Sequence, residues 1–429
     1  MPTTPHWDPT GSTSAKSLAF DGRSPRQRIL LLLFLAITIN VLDRQVLSLV
    51  APVLREQFGL SNTQYGVIVF AFLLGMAVGQ FPIGALIDRI GARKGLALIA
   101  SWWSAANLAH VFMRSVTQFS VMRFLLGFGE CGNYSAGIKV IGQWFPPKDR
   151  ALAGGFFNGG ALAGAIIAPP LITYLTIHHG WRAAFLLPSA VGALWVVPWL
   201  RTYREPRDAK EQRAESAGPD PLAKGALWGV ILMRSFGAPV GHFYWYWLPE
   251  YLKHGRGMSL EAIGLTAWMP FLAGGAGNIG GGWLSRVLIN RGWSLDAARK
   301  FVFIASTVVC LAAMLVPLAG GPASALALIC AASLAVNAYA ANLIGLITDL
   351  FPHRVLARVT GLTGVGDNVM SMAAMLLTGV VVDRFSYTPV FIVAGLLPIL
   401  GLGSFFVLVR RVGSPCDTLG GPKEVPYGH

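Results

Sequence analysis

The sequence predicts an all-α membrane protein of twelve transmembrane helices in two pseudo-symmetric six-helix bundles. Hydrophobic residues make up 54% of the 429 residues and charged residues only 13%, with a mean hydropathy of +0.56, whereas charge approaches about a quarter of an ordinary soluble domain. Apolar runs recur along the chain at lengths that cross about 30 Å of hydrocarbon. Between two such runs, Gly66 to Ile87 and Gly95 to Met113, the stretch Gly84 to Lys94 packs glycines and charges into what reads as a tight aqueous turn.

Each element follows in order. Residues 1–27, rich in Ser, Thr, Pro and charge, read as a cytosolic tail, and the apolar run after them lacks a small-residue cleavage site, so the first span, 28–52, is retained. Spans two and three, 64–87 and 95–113, flank the turn, and span four, 116–141, carries Arg123 and Glu130. Spans five and six, 151–177 and 183–201, end at a polar linker, 202–224, which separates a first bundle, 28–201, from a second, 225–411. Spans seven and eight cover 225–252 and 260–285. The uncharged stretch that follows, Phe301 to Thr348, is too long for one crossing and breaks at Gly320-Gly321-Pro322, giving spans 301–319 and 323–349. Spans 358–382 and 386–410 precede a second tail, 412–429.

An even number of crossings puts both termini on one side. Most of the 34 Lys and Arg residues fall on that side, which makes it cytoplasmic in a cell (inner) membrane. The net charge of +14 is therefore topology and does not indicate nucleic acid binding. Cys131, Cys310, Cys330 and Cys416 lack metal-ligand spacing and read as packing residues. Gly127-Phe-Gly129-Glu-Cys-Gly132 fits a dinucleotide pattern, but no strand precedes it and it lies within an apolar helix. No phosphate loop, metal cluster or nucleophile triad is present in the sequence.

A constant slide lays Ser61, Gly66, Gly79 and Gly84 over Ser259, Gly264, Gly277 and Gly282, and a slightly longer one lays Phe145-Pro146, Gly155 and Phe185 over Phe351-Pro352, Gly361 and Phe391. The ordered matches indicate a duplicated six-helix unit whose copies can rock about a site held between them. Glycines 155, 159, 160 and 164 in span five, and 275, 277 and 280 to 282 in span eight, offer small faces for close helix contact.

These residues resemble the major facilitator superfamily over about 28–410. Gly84 to Lys94 is similar to its loop between helices two and three, and Arg123 to Glu130 to its fourth-helix motif. Within it the chain resembles the anion:cation symporter family and its hexuronate and hexonate branch, through Asp43-Arg44, Gly129-Glu130, Trp144-Phe145-Pro146, Pro239-Val240, Trp247-Leu248-Pro249, Ala267 to Pro270 and Thr360 to Gly364. The resemblance implies the major facilitator fold and alternating access. It also implies a latch of Gly84, Asp88, Arg89, Gly91 and Arg93 on the cytosolic side that biases the outward-open state. Span five lacks the Gly-Pro pair of antiporters, and Arg286 and Val287 stand where a second latch would need Asp and Arg.

A charge inside a span costs about 2.5–3.5 kcal/mol on insertion scales, so each one kept there is a candidate site. Asp43, Arg44, Arg123, Glu130, Lys139 and Asp367 qualify. Arg123, Gly127, Glu130 and Tyr134 share one helical face, which is expected to meet span one in a common cavity, while Lys139 is expected to snorkel to the inner surface and Asp367 ranks below the rest. Arg44 and Arg123 suit a substrate carboxylate, since guanidinium offers a planar fork. Asp43 and Glu130 suit the proton, since burial raises and a neighbouring guanidinium lowers a carboxyl pKa. Tyr65, Asn158, His242, Tyr244 and Asn368 are candidates for the sugar hydroxyls, although the run His242 to Trp247 also fits an interfacial aromatic belt.

The expectation is a monomeric, non-enzymatic secondary transporter that takes up a small organic anion, a hexuronate or hexonate, from within the lipid bilayer. It needs no cofactor and uses the proton gradient as its driving force. An organophosphate or other carboxylate antiporter, and a non-transporting sensor on the same scaffold, are the alternatives.

Overall fold

A computed structural model describes residues 24–205, 224–351 and 356–409. The tails and most of the 202–224 linker lie outside the described residues. Among these the chain is all helical: α1 (Pro25–Phe58), α2 (Asn62–Ala109), α3 (Val116–Glu130), α4 (Gly132–Trp144), α5 (Pro147–His179), α6 (Trp181–Thr202), α7 (Lys224–Glu250), α8 (Leu260–Thr266), α9 (Met269–Asn290), α10 (Leu295–Cys310), α11 (Ala312–Leu315), α12 (Pro322–Leu350), α13 (Leu356–Arg384) and α14 (Thr388–Ser404).

Serine side chains start several helices as the sequence pattern requires, each accepting a backbone N–H of the first turn: Ser24 for α1, Ser61 for α2, Ser115 for α3, Ser259 for α8 and Ser294 for α10. Helix α1 ends at Gly59, in the left-handed region at φ 63°.

Eight helical stretches among the described residues are long and apolar enough to cross a membrane. One of them, Asn62–Phe112, has 51 residues and holds two predicted spans. It doubles back at Gly91, whose φ of 84° and ψ of 162° are not helical, so that Gly95 lies against Ile87. The expected aqueous turn over 84–94 is thus corrected: helix continues through Ile90, Gly84 sits inside it, and a single glycine makes the reversal. The predicted span 116–141 is interrupted at Cys131 between α3 and α4, and 260–285 at Ala267 and Trp268 between α8 and α9, in each case with the backbone angles still in the right-handed helical region. The seventh, α7, carries Arg234, His242 and the aromatic run, which lower its hydropathy.

The matched residues of the two halves do matched work. Ser61 and Ser259 are both N-caps. Gly79 and Gly277 each press on the span two places further along their own half, at Phe128 and Leu334. Gly66 and Gly264 each press on the opposite half, at Met375 of α13 and Thr173 of α5, and Gly84 and Gly282 both face open space.

Between described residues, the hydrogen bonds and ion pairs that join the halves gather at the end where α1 finishes and α2 begins, the far end from the termini. Arg55 pairs with Glu250. Glu56 lies 3.7 Å from Lys253 and 3.9 Å from His254. Asp383 of α13 caps α2 from the other half, accepting the N–H groups of Asn62 and Thr63 at 2.9 and 2.7 Å and their side chains at 2.8 and 2.6 Å. Toward the middle, Leu162 of α5 fills the space over Gly275 of α9, and the Tyr65 ring meets Trp247. No hydrogen bond or ion pair between described residues joins the halves at the terminal end.

Candidate functional site

Helix α1 carries Asp43 and Arg44 into the protein interior, and their side chains diverge as adjacent helical positions must. Arg44 turns toward α3, where its Nε donates to Glu130 Oε2 at 3.2 Å and its Nη2 to Asn40 Oδ1 at 3.3 Å. Asp43 turns toward the second arm of α2 and accepts from Asn107 Nδ2 at 2.7 Å. The guanidinium groups of Arg44 and Arg123 stand 5.6 and 5.9 Å from the centre of the same Phe72 ring. The predicted convergence of the first and fourth spans is therefore present as one direct pair, Arg44 with Glu130, with Asp43 held from the opposite side of α1.

Asp43, Arg123 and Glu130 are at most 2% exposed, yet Asp43 Oδ2, Glu130 Oε1 and Arg123 Nε and Nη2 have no hydrogen-bond partner among the described residues. Buried polar atoms are normally satisfied, and a buried charge without partners costs several kcal/mol (about 2–7 even for a neutral group). Such a cluster has unmet hydrogen-bonding capacity for a proton or a ligand group. Arg44, with 22% of its side chain exposed, is the member that solvent reaches.

Of the fourth-span face, Gly127 packs its backbone onto Phe72 and gives its space to α2, not to a ligand. Tyr134 lies beyond the Cys131 break, 52% exposed and against Phe157.

The second half holds a network that the sequence reading undervalued. Arg234 of α7 donates to Asp367 Oδ2 of α13 at 3.2 Å and to Thr363 at 3.3 Å. Ser371 donates to Asp367 Oδ1 at 3.2 Å and lies 3.1 Å from His242 Nδ1. Tyr246, one turn beyond His242, links the two networks: its ring stacks 6.2 Å from His242 and lies 6.1 Å from Phe72. The spacing of His242 and Tyr246 on one helical face was the available signal. Nothing in the sequence marked Asn107 or Phe72.

The remaining candidates divide. Asn158 is exposed on α5, one turn toward the terminal end from Leu162, on the face that meets the second half. Asn368 is half-buried beside Asp367. Tyr65 does not offer its hydroxyl: it is 1% exposed and donates to the Tyr246 carbonyl at 2.5 Å, as part of the far-end closure. Tyr244 is also misplaced as a ligand residue, because two positions from His242 on a helix it points the other way, 2% exposed against Phe243. Phe243, Tyr244, Tyr246 and Trp247 are all buried within the protein, so the run is not an interfacial belt.

At the terminal end, Lys139 reaches Asp88 at 2.7 Å, joining α4 to α2. Gly91 lies where a Cβ would stand 2.5 Å from Glu205 Oε1, and that oxygen accepts the Arg93 N–H at 3.0 Å while Trp199 donates to the Arg93 carbonyl at 3.0 Å. Gly84 faces open space and Arg89 is exposed. Between described residues, the contacts of the predicted latch stay within the first half. In the second half, Arg299 pairs with Asp349 at 3.0 Å and with Asn342 at 3.1 Å.

Comparison with known proteins accords with this arrangement. The family model described as Major Facilitator Superfamily matches residues 33–295 and 288–426. The chain is 30% identical to the hexuronate transporter of Escherichia coli (strain K12) over 398 residues, 88% of this chain and 92% of that protein. It is 31% identical to a probable L-galactonate transporter of the same strain over 403 residues, 89% of each. Its fold matches the crystal structure of a bacterial homologue of the human lysosomal transporter Spinster with a TM-score of 0.75 at 20% identity, covering 91% of this chain and 99% of that one. The chain belongs to the Major Facilitator Superfamily, as a multi-pass membrane transporter.

Proposed function

We propose that this transporter takes up a sugar acid of the hexuronate or hexonate class together with protons. The observation that carries the reading is Arg44, a partly solvent-reached guanidinium whose one carboxylate partner, Glu130, is buried and has a second oxygen unsatisfied. A proton on Glu130 removes its charge and releases Arg44, whose fork then takes the substrate carboxylate in two parallel bonds. With proton and anion both aboard, the added charges cancel, and the loaded site crosses the low-dielectric interior without an unpaired charge. Asp43, held by Asn107 with one oxygen free, is the second proton candidate, and Arg123 keeps both acids in a positive field.

The two six-helix units, 28–201 and 225–411, rock about this site, joined by the 202–224 linker. Termini in the cytoplasm of a cell (inner) membrane follow from the basic residues on that side. The far end is then periplasmic or extracellular, and the conformation with that end joined is open to the cytoplasm. The Asp88 region is a latch of the opposite, outward-open state. The carrier works as a monomer and uses the proton gradient without a cofactor. The relatives named for hexuronate and galactonate support the substrate class. Arg234, neutralised by Asp367, does not favour a phosphate exchanger with two free arginines.

Purified protein in liposomes with an acidic exterior tests the reading. It should accumulate galacturonate or glucuronate, and a protonophore should collapse the accumulation. Exchange for internal phosphate without proton dependence would overturn it.

A further inference from the structure

The second-half wall contains a histidine set up to carry a proton. His242 Nδ1 has three oxygen neighbours: the Ala238 carbonyl at 3.1 Å, the Ser371 hydroxyl at 3.1 Å and Asp367 Oδ1 at 3.8 Å. A carbonyl only accepts, and the Ser371 proton goes to Asp367, so Nδ1 bears the hydrogen and the neutral ring keeps its lone pair on Nε2. Nε2 bonds to no described residue, and 27% of the side chain is exposed. A carboxylate thus stands behind Nδ1, and Nε2 is open in front.

The position is also meaningful. The slide that lays Ser61 over Ser259 lays Arg44 over His242, so the two halves place a permanent and a titratable cation at matched positions, each beside a carboxylate: Glu130 for Arg44, Asp367 for His242. The charged and titratable groups around the imidazole are Asp367 on α13, Arg234 on α7 beyond it, Tyr246 one turn along, and Arg44, Glu130 and Arg123 across the Phe72 and Tyr246 rings on α1 and α3.

We propose that His242 is a proton-switched anion-binding residue: protonated at Nε2 it becomes the second-half cation for the sugar acid, and neutral it is not. This rests on the sugar-acid reading and adds to it a site where acidity raises affinity apart from the Glu130 proton.

Galacturonate affinity, read as half-saturation of counterflow at equal pH on both sides from about pH 5 to about pH 8, tests this in an Asp43→Asn, Glu130→Gln background, which removes both acids. Affinity should still fall with rising pH, by up to about tenfold per unit for one linked proton above the histidine pKa. Adding His242→Gln should flatten the profile at the alkaline value, and His242→Asn should do the same if the Gln form does not assemble. A flat profile in that background, or a slope that survives replacement of His242 in it, would overturn the proposal. The sugar-acid reading fails separately, if wild-type protein shows no proton-driven uptake of any sugar acid.

Discussion

Arg44 spends Nε on Glu130 and Nη2 on Asn40, so its planar fork is already oriented before a ligand arrives. A lysine keeps the charge but not the fork. Arg44→Lys should therefore weaken galacturonate binding at least about tenfold, about 1.4 kcal/mol, in counterflow, while Tyr244→Phe should leave transport unchanged because that hydroxyl faces the second-half core. An unaltered half-saturation constant in Arg44→Lys would remove Arg44 from the substrate site. The intramembrane charges were legible in the sequence because hydrocarbon penalises each of them. Tyr65 and Tyr244 were misread because composition does not tell which way a helix is rotated, and the rotation is set by neighbours far away in the chain. Asp367 was undervalued because its partner, Arg234, is 133 residues away.

Helix contacts are made by some glycines and not by others. A Cβ on Gly127 would overlap the Phe72 carbonyl, and one on Gly277 the Leu334 carbonyl, whereas Gly84 and Gly282 face open space. Gly127→Ala and Gly277→Ala should each cost about 1–3 kcal/mol through overpacking, read as a lower melting temperature of the purified protein. Gly84→Ala and Gly282→Ala should not lower it, since alanine is the better helix former by about 1 kcal/mol. Equal effects at all four positions would contradict this division. The apolar segments and their pairing by repeat were legible at this scale, and the repeat foretold the shared roles of Ser61 with Ser259 and Gly79 with Gly277. Segment 84–94 was read as a loop because its charges look aqueous. They sit instead at a helix end, where Asp88 meets Lys139 and Gly91 alone turns the chain.

Across the whole molecule, far-end closure rests on carboxylates that one half lends or receives: Glu250 to Arg55, Glu56 to Lys253 and His254, Asp383 to the start of α2. The hydrogen bond to Glu250 raises the His254 pKa above its ordinary value. Stability from that protonated ring is complete below the ordinary value, about 6.5, and is lost as pH climbs through the raised one. Wild-type melting temperature should fall across that window relative to His254→Gln, and parallel curves would exclude the contribution. Asp383→Asn should loosen the cap on α2 and shift spin-label distances across the far end toward the open state, with no shift counting against the closure. In the proposed mechanism this closure serves one site, where a proton on Glu130 would free Arg44 for the substrate. The most direct measurement is Glu130→Gln in liposomes: gradient-driven galacturonate accumulation should vanish while counterflow exchange continues, and either retained accumulation or the loss of both activities in a folded protein would contradict the account.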